Sequence, residues 1–146
     1  MVRIRGDVII DASADEVFDF VADERNEPTY NPRIVRAEKS SSGPVGAGSR
    51  FVSEPKSIGR SGTMTLEIIE YDRPHRLHNR VCSRYMQVDG TLTFDELGGR
   101  TRLRWDWDMD LVGPWKVLSP VLAVLGPPWE RRNWVGLKRC LETRRS

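Results

Sequence analysis

With 146 residues, 23 basic and 21 acidic side chains and a formal net charge of +2, the chain lacks the strong single-sign field that favours nucleic-acid binding. That length suits one domain over 1–146, burying about 70% of its unfolded surface. Met1-Val2-Arg3-Ile4-Arg5 has no apolar segment of a secretory signal, and the apolar run 117–125 is broken by Ser119 and Pro120, short of the ~20 residues of a membrane span, so a cytoplasmic location is expected.

In chain order, Val2, Ile4, Val8 and Ile10 predict a first strand, interrupted near Gly6. Ser13-Ala14-Asp15-Glu16 is a capping box, and Val17, Phe18, Phe20 and Val21 supply the apolar face of a helix ending about Asp23. Pro28, Tyr30 and Pro32 leave room for at most one short helical turn before the chain extends. Strands are predicted over 34–39, 48–54 and 63–71, the last two joined across Pro55 to Gly62. After the turn Asp72-Arg73-Pro74-His75 comes a strand over 76–83. The next strand carries Met86, Val88, Leu92 and Phe94 on one face, with Gly90 marking a bend or a close approach.

Beyond Leu97-Gly98-Gly99-Arg100, the alternation is cleanest. Leu103, Trp105, Trp107, Met109 and Leu111 fall on one face of a strand, and Arg102, Arg104, Asp106, Asp108 and Asp110 on the other. The three aspartates stand ~6.5–7 Å apart with arginines beside them and no His or Cys, the pattern of a solvated charge ladder and not of a metal site. Gly113-Pro114 opens a helical region of short turns up to Leu125. Gly126-Pro127-Pro128 should break it, and a continuous helix should run from about Pro127 to Glu142. Its inner stripe is predicted to be Trp129, Asn133, Gly136, Leu137, Cys140 and Leu141. Basic residues cluster towards the C-terminus (Arg131, Arg132, Lys138, Arg139, Arg144, Arg145), where they complement the helix dipole. Cys82 and Cys140 match neither a metal pattern nor a disulfide framework and are expected as buried free thiols.

The order strand, two short helices, six-stranded meander and long C-terminal helix resembles the helix-grip fold of the START-like superfamily. That group includes the birch-pollen allergen family and the polyketide cyclase/dehydrase and lipid-transport family (SRPBCC proteins). The resemblance is carried by the run from Ile10 through Ser13 and Glu16 to Asp23 and by Tyr30-Asn31-Pro32. Pro44-Val45-Gly46-Ala47-Gly48-Ser49-Arg50-Phe51 and Glu70-Tyr71-Asp72-Arg73-Pro74-His75-Arg76-Leu77 extend it. Gly90-Thr91-Leu92-Thr93-Phe94, Gly99-Arg100-Thr101-Arg102-Leu103 and Gly136-Leu137-Lys138 complete the set. It implies an α+β fold: a curved antiparallel sheet of about seven strands around the C-terminal helix, with a small hydrophobic ligand held between them. Gly126-Pro127-Pro128 departs from the uninterrupted helix usual in that family.

Trp105, Trp107 and Met109 either fill a core or line a pocket, and the resemblance favours the pocket. Their expected companions are Phe51, Met64, Leu66 and Ile68 on the middle strands, Val81, Leu92 and Phe94, and Trp129 and Asn133 from the helix. Buried on an apolar stripe, Asn133 needs a partner in backbone, water or ligand. No catalytic constellation, phosphate loop or dinucleotide fingerprint is present, so no cofactor is expected. Tyr30, Tyr71, Tyr85, His78 and Asn133 are the available proton donors for cyclase or dehydratase chemistry in the same pocket. Residues 115–129 are apolar nearly all round, more than one buried face requires. This stretch is read as a lid or entrance, with a homodimer contact or a membrane-surface dock beside Lys116 as alternatives; the protein is a monomer or homodimer.

Overall fold

Seven strands form one antiparallel sheet in the order β1-β7-β6-β5-β4-β3-β2. They are β1 (Val2–Ile10), β2 (Ile34–Lys39), β3 (Arg50–Pro55), β4 (Met64–Asp72), β5 (Arg76–Cys82), β6 (Met86–Leu97) and β7 (Arg100–Leu111). β2 to β7 are a meander, and β1 closes it by pairing with β7. The computed structural model describes residues 2–56 and 62–145, so the link expected across 55–62 lies largely outside the described residues. The sheet curves around a long C-terminal helix, the α+β helix-grip arrangement that was expected.

β7 shows why the sequence folds this way. Thr101, Leu103, Trp105, Trp107 and Met109 are buried, and none of the residues between them is. The outer face is a ladder of ion pairs: Arg3 to Asp106 at 3.0 Å, Arg102 to Asp7 at 2.9 Å and Arg104 to Asp95 at 2.9 Å. The inner face is built in rows across the strands. One runs Ile4, Trp107, Gly90, Asn79, Ile68. The next runs Val2, Met109, Val88, Val81, Leu66, Phe51.

β1 is continuous through Gly6, contrary to the expected interruption. Gly6 faces Trp105 on β7, and the indole lies where a side chain would stand: a Cβ there would be 2.3 Å from Trp105 Cζ2. Of the two readings of Gly90, close approach is the correct one, for the Trp107 ring covers it in the same way.

α1 (Ala14–Ala22) starts at Ser13, whose Oγ accepts the amide of Glu16, and buries Val17, Phe18 and Val21. A 3₁₀ helix follows at Glu24–Thr29. After β7, a second stretch of 3₁₀ helix (Gly113–Leu118) leads into α2 (Ser119–Arg145). α2 runs unbroken through Pro127 and Pro128, correcting the predicted break. Both prolines are exposed, so their rings meet solvent. The helix is held on either side of them: Gly126 packs on Ile4 of β1, and Trp134, Leu137 and Leu141 are buried in the core. Packing of both halves outweighs the two lost backbone donors. Among the described residues, no helix is long and apolar enough to cross a membrane. The thiols also differ from expectation: Cys82 is exposed and Cys140 half-buried, because β5 turns Cys82 outward and Cys140 sits at the edge of the buried stripe.

Candidate functional site

Between the inner face of the sheet, α2 and the Glu24–Thr29 3₁₀ helix lies an open cavity of about 830 Å³. Eight of the twelve predicted pocket residues line it: Met64, Leu66, Val81, Leu92, Trp107, Met109, Trp129 and Asn133. The other four do not reach its wall. Phe51, Ile68, Phe94 and Trp105 are at most 2% exposed and belong to the packed core. Helix side chains cover two of them. Phe94 lies under α1, with its ring 5.1 Å from Phe18, and Trp105 is covered by the indole of Trp134 at 5.9 Å. Trp129 is on the wall but 46% exposed, at the rim, with the Arg33 guanidinium 5.9 Å from its ring centre.

One end of the cavity is polar, and most of its groups were not singled out from the sequence. A 3₁₀ helix has three residues per turn, so side chains three apart eclipse. Glu24, Glu27 and Tyr30, the residue capping the helix, therefore share a side, and all three face the cavity. Glu130 on α2 faces it too, and its Oε1 accepts the indole N–H of Trp107 at 2.7 Å and of Trp134 at 3.1 Å. Trp134 stacks on Trp105, Trp107 and Tyr30, at centroid distances of 5.9, 6.4 and 6.3 Å. The signal for Trp134 was its spacing from Leu137 and Leu141. The inner stripe adds Gly126, Glu130 and Trp134 to the predicted Asn133, Gly136, Leu137, Cys140 and Leu141, with Gly136 against the Tyr30 backbone and Cys140 at the edge; Trp129 lies at the rim. Glu130 was masked by the charged run it opens, Glu130-Arg131-Arg132.

The electrostatics of this end follow from burial. Desolvation, followed by the neighbouring Glu27 charge, pushes the Glu24 carboxyl well above its usual range. Burial also raises Glu130, against the opposing pull of the Trp107 N–H and of Arg33. Burial raises Tyr30, reinforced by Glu27, Glu24 and Glu130, so its hydroxyl keeps its proton. Two amide oxygens on the cavity wall, Asn79 Oδ1 and Asn133 Oδ1, are buried with no hydrogen-bond partner among the described residues. Asn133 thus lacks the protein partner that burial calls for.

Of the five proton donors named from the sequence, Tyr30 and Asn133 line the cavity. Tyr71 packs its ring edge-on to Phe18 at 5.0 Å, Tyr85 packs on Trp115 at 4.7 Å, and His78 Nε2 lies 2.5 Å from Asp89 Oδ1. Beyond the rim, Trp115, Val117, Leu118, Val121, Val124 and Leu125 expose apolar surface, up to 77% at Val117.

The family model for polyketide cyclase/dehydrase and lipid transport matches residues 1–140. Among solved structures, a START superfamily protein from Mycobacterium smegmatis is 19% identical, with a TM-score of 0.82 over 97% of each chain. The ZhuI aromatase/cyclase from a Streptomyces species is 18% identical, with a TM-score of 0.69 over 92% of this chain and 87% of its own. The di-domain ARO/CYC BexL is 20% identical, with a TM-score of 0.72, covering 97% of this chain and 47% of BexL. At these identities the likeness is one of fold. No match is found among curated proteins.

Proposed function

The chain belongs to the polyketide cyclase/dehydrase and lipid-transport family, and we propose that it is one ligand-binding domain, 1–146, for a small hydrophobic molecule such as a lipid, polyketide or aromatic metabolite. The observation that carries this reading is the cavity of about 830 Å³ beneath α2, whose wall is mainly aliphatic and aromatic. Affinity comes from burial, at ~0.8 kcal/mol per methylene removed from water, and the polar groups at one end set orientation. Trp107, Met109 and Trp129 supply contact area; Trp105, from beneath, holds the wall in place. Native mass spectrometry of the purified protein, followed by denaturing extraction, tests this. A released hydrophobic molecule supports it; a protein that is isolated empty and takes up no member of a lipid and polyketide panel overturns it.

A cyclase or dehydratase working in the same cavity is the second reading, favoured by the protonated Tyr30 and the Glu24–Glu27 pair on its wall. It predicts that Tyr30→Phe abolishes turnover of a bound polyketide while leaving its affinity intact. The exposed apolar residues 115–125 beside the cavity rim favour an entrance that meets a membrane surface or a second copy. Liposome co-sedimentation and a mass measurement in solution separate these two, and a monomer that ignores liposomes leaves the stretch as a lid.

A further inference from the structure

We propose that the polar end of the cavity is built for an amine, so that the ligand is an apolar body carrying an ammonium or other multiply hydrogen-bond-donating head. This rests on the ligand-binding reading above and names the chemistry of its head group.

Carboxyl and amide oxygens outnumber the donors at this end, where Glu24 shares its proton with Glu27 and the Tyr30 hydroxyl faces the same space. Glu24 and Glu27 come from the 3₁₀ helix and Glu130 from α2. Asn79, 6% exposed, and Asn133, 8% exposed, each present a carbonyl oxygen with no partner among the described residues. These groups are linked in space. Trp107 stands in one sheet row with Asn79, separated by Gly90, and its Nε1 donates to Glu130, one helical turn from Asn133. The indole N–H groups of Trp107 and Trp134 are already committed to Glu130 Oε1, and the Asn31 amide reaches Glu27 at 3.4 Å. The cations that line the cavity, Arg33 and Lys56, are exposed and sit at the rim.

An ammonium has three donors and no acceptor, so it answers this imbalance directly. A carboxylate head could accept from the Tyr30 hydroxyl or a protonated carboxyl, but it would leave the Asn79 and Asn133 oxygens without a donor. A plain hydrocarbon would leave Asn79 and Asn133 unpaired and shut off from water. A fatty acid held by the rim cations is the competing arrangement, and it predicts the opposite preference.

The test is calorimetric titration of the full chain with decylamine, 1-decanol and decanoate, equal in chain length and below their aggregation limits. Decylamine is expected to bind about tenfold or more tightly than decanoate, with decanol between them. Asn133→Leu and Glu27→Gln should each erode that preference while leaving decanol binding in place. Decanoate binding as tightly as decylamine, or a preference for the amine that survives both substitutions, overturns the amine assignment and leaves the cavity reading standing. Failure of all three ligands overturns both.

Discussion

Trp107 lies flat over Gly90 of the adjacent strand, its Cε3 only 1.5 Å from where a Cβ on that glycine would stand. Trp105 covers Gly6 in the same manner on the other side of β7. These glycines are slots for indoles, and without them neither ring could lie against the sheet and leave space beneath α2. Neither glycine has a positive φ, so the constraint is one of volume and not of backbone conformation.

Gly90→Ala is therefore expected to lift the Trp107 ring, strain its bond to Glu130 and lower stability by about 1–3 kcal/mol. Gly46→Ala is the control, since a Cβ there meets nothing within 4 Å and its φ is not positive. Urea midpoints of the two variants decide the matter. An unperturbed Gly90→Ala protein would show that Trp107 has another low-energy place to go.

Stability should fall as pH rises towards neutrality. Burial and Glu27 hold the Glu24 carboxyl well above its ordinary value of 4.5, and burial raises Glu130 as well. A folded chain that keeps protons the unfolded chain has released is favoured by acid. This contribution is full below the ordinary value and is lost as pH rises through the folded values. Asp23, Asp106 and Glu142 act in the opposite sense: Arg25, Arg3 and Lys138 hold them below their usual range, so their share is lost only on the acid side. Urea midpoints from about pH 5 to 8 should decline in the parent and flatten in Glu24→Gln. Parallel curves would remove Glu24 as the cause.

Much of this architecture was legible in the sequence because strands announce themselves by a period of two. The alternation from Leu103 to Met109 placed those side chains on the inner face and the arginines and aspartates on the outer. The acidic end of the cavity was hidden for a different reason. Glu24 and Glu27 flank Arg25 and precede Pro28 in a segment that reads as exposed turn, and only the three-residue repeat of a 3₁₀ helix aligns them with Tyr30. Periodicity identifies a buried face but not the depth at which each residue sits. That is why periodicity groups Phe51, Ile68, Phe94 and Trp105 with the wall although all four are buried in the core.

The two tryptophans of the wall should separate when removed. Trp129 is 46% exposed at the rim, so Trp129→Ala should weaken binding of a hydrophobic ligand while moving the urea midpoint little. Trp107 is 8% exposed, stacks on Trp134 and bonds Glu130, so Trp107→Ala should cost about 3–5 kcal/mol of stability, whatever it does to binding. Trp107→Phe is the gentler probe of the site, since it keeps an aromatic ring while removing the donor to Glu130 and part of the indole's volume. Equal stability of the two alanine variants would mean that the packed wall ends short of Trp107.

Pro127 and Pro128 test whether α2 is one helix. Within a continuous helix, each proline removes the amide that would meet the carbonyl four residues earlier, Ala123 for one and Val124 for the other, and its ring crowds that carbonyl. Both rings are exposed, so their removal costs no packing. Pro127→Ala and Pro128→Ala should then each raise stability, by about 1–3 kcal/mol, and the new amide at the substituted position should be protected from exchange. If instead the helix stopped at Gly126 and restarted, as the Gly-Pro-Pro run alone suggests, the prolines would occupy a first turn where they are favourable, and the same substitutions would leave the urea midpoint unchanged or lower it.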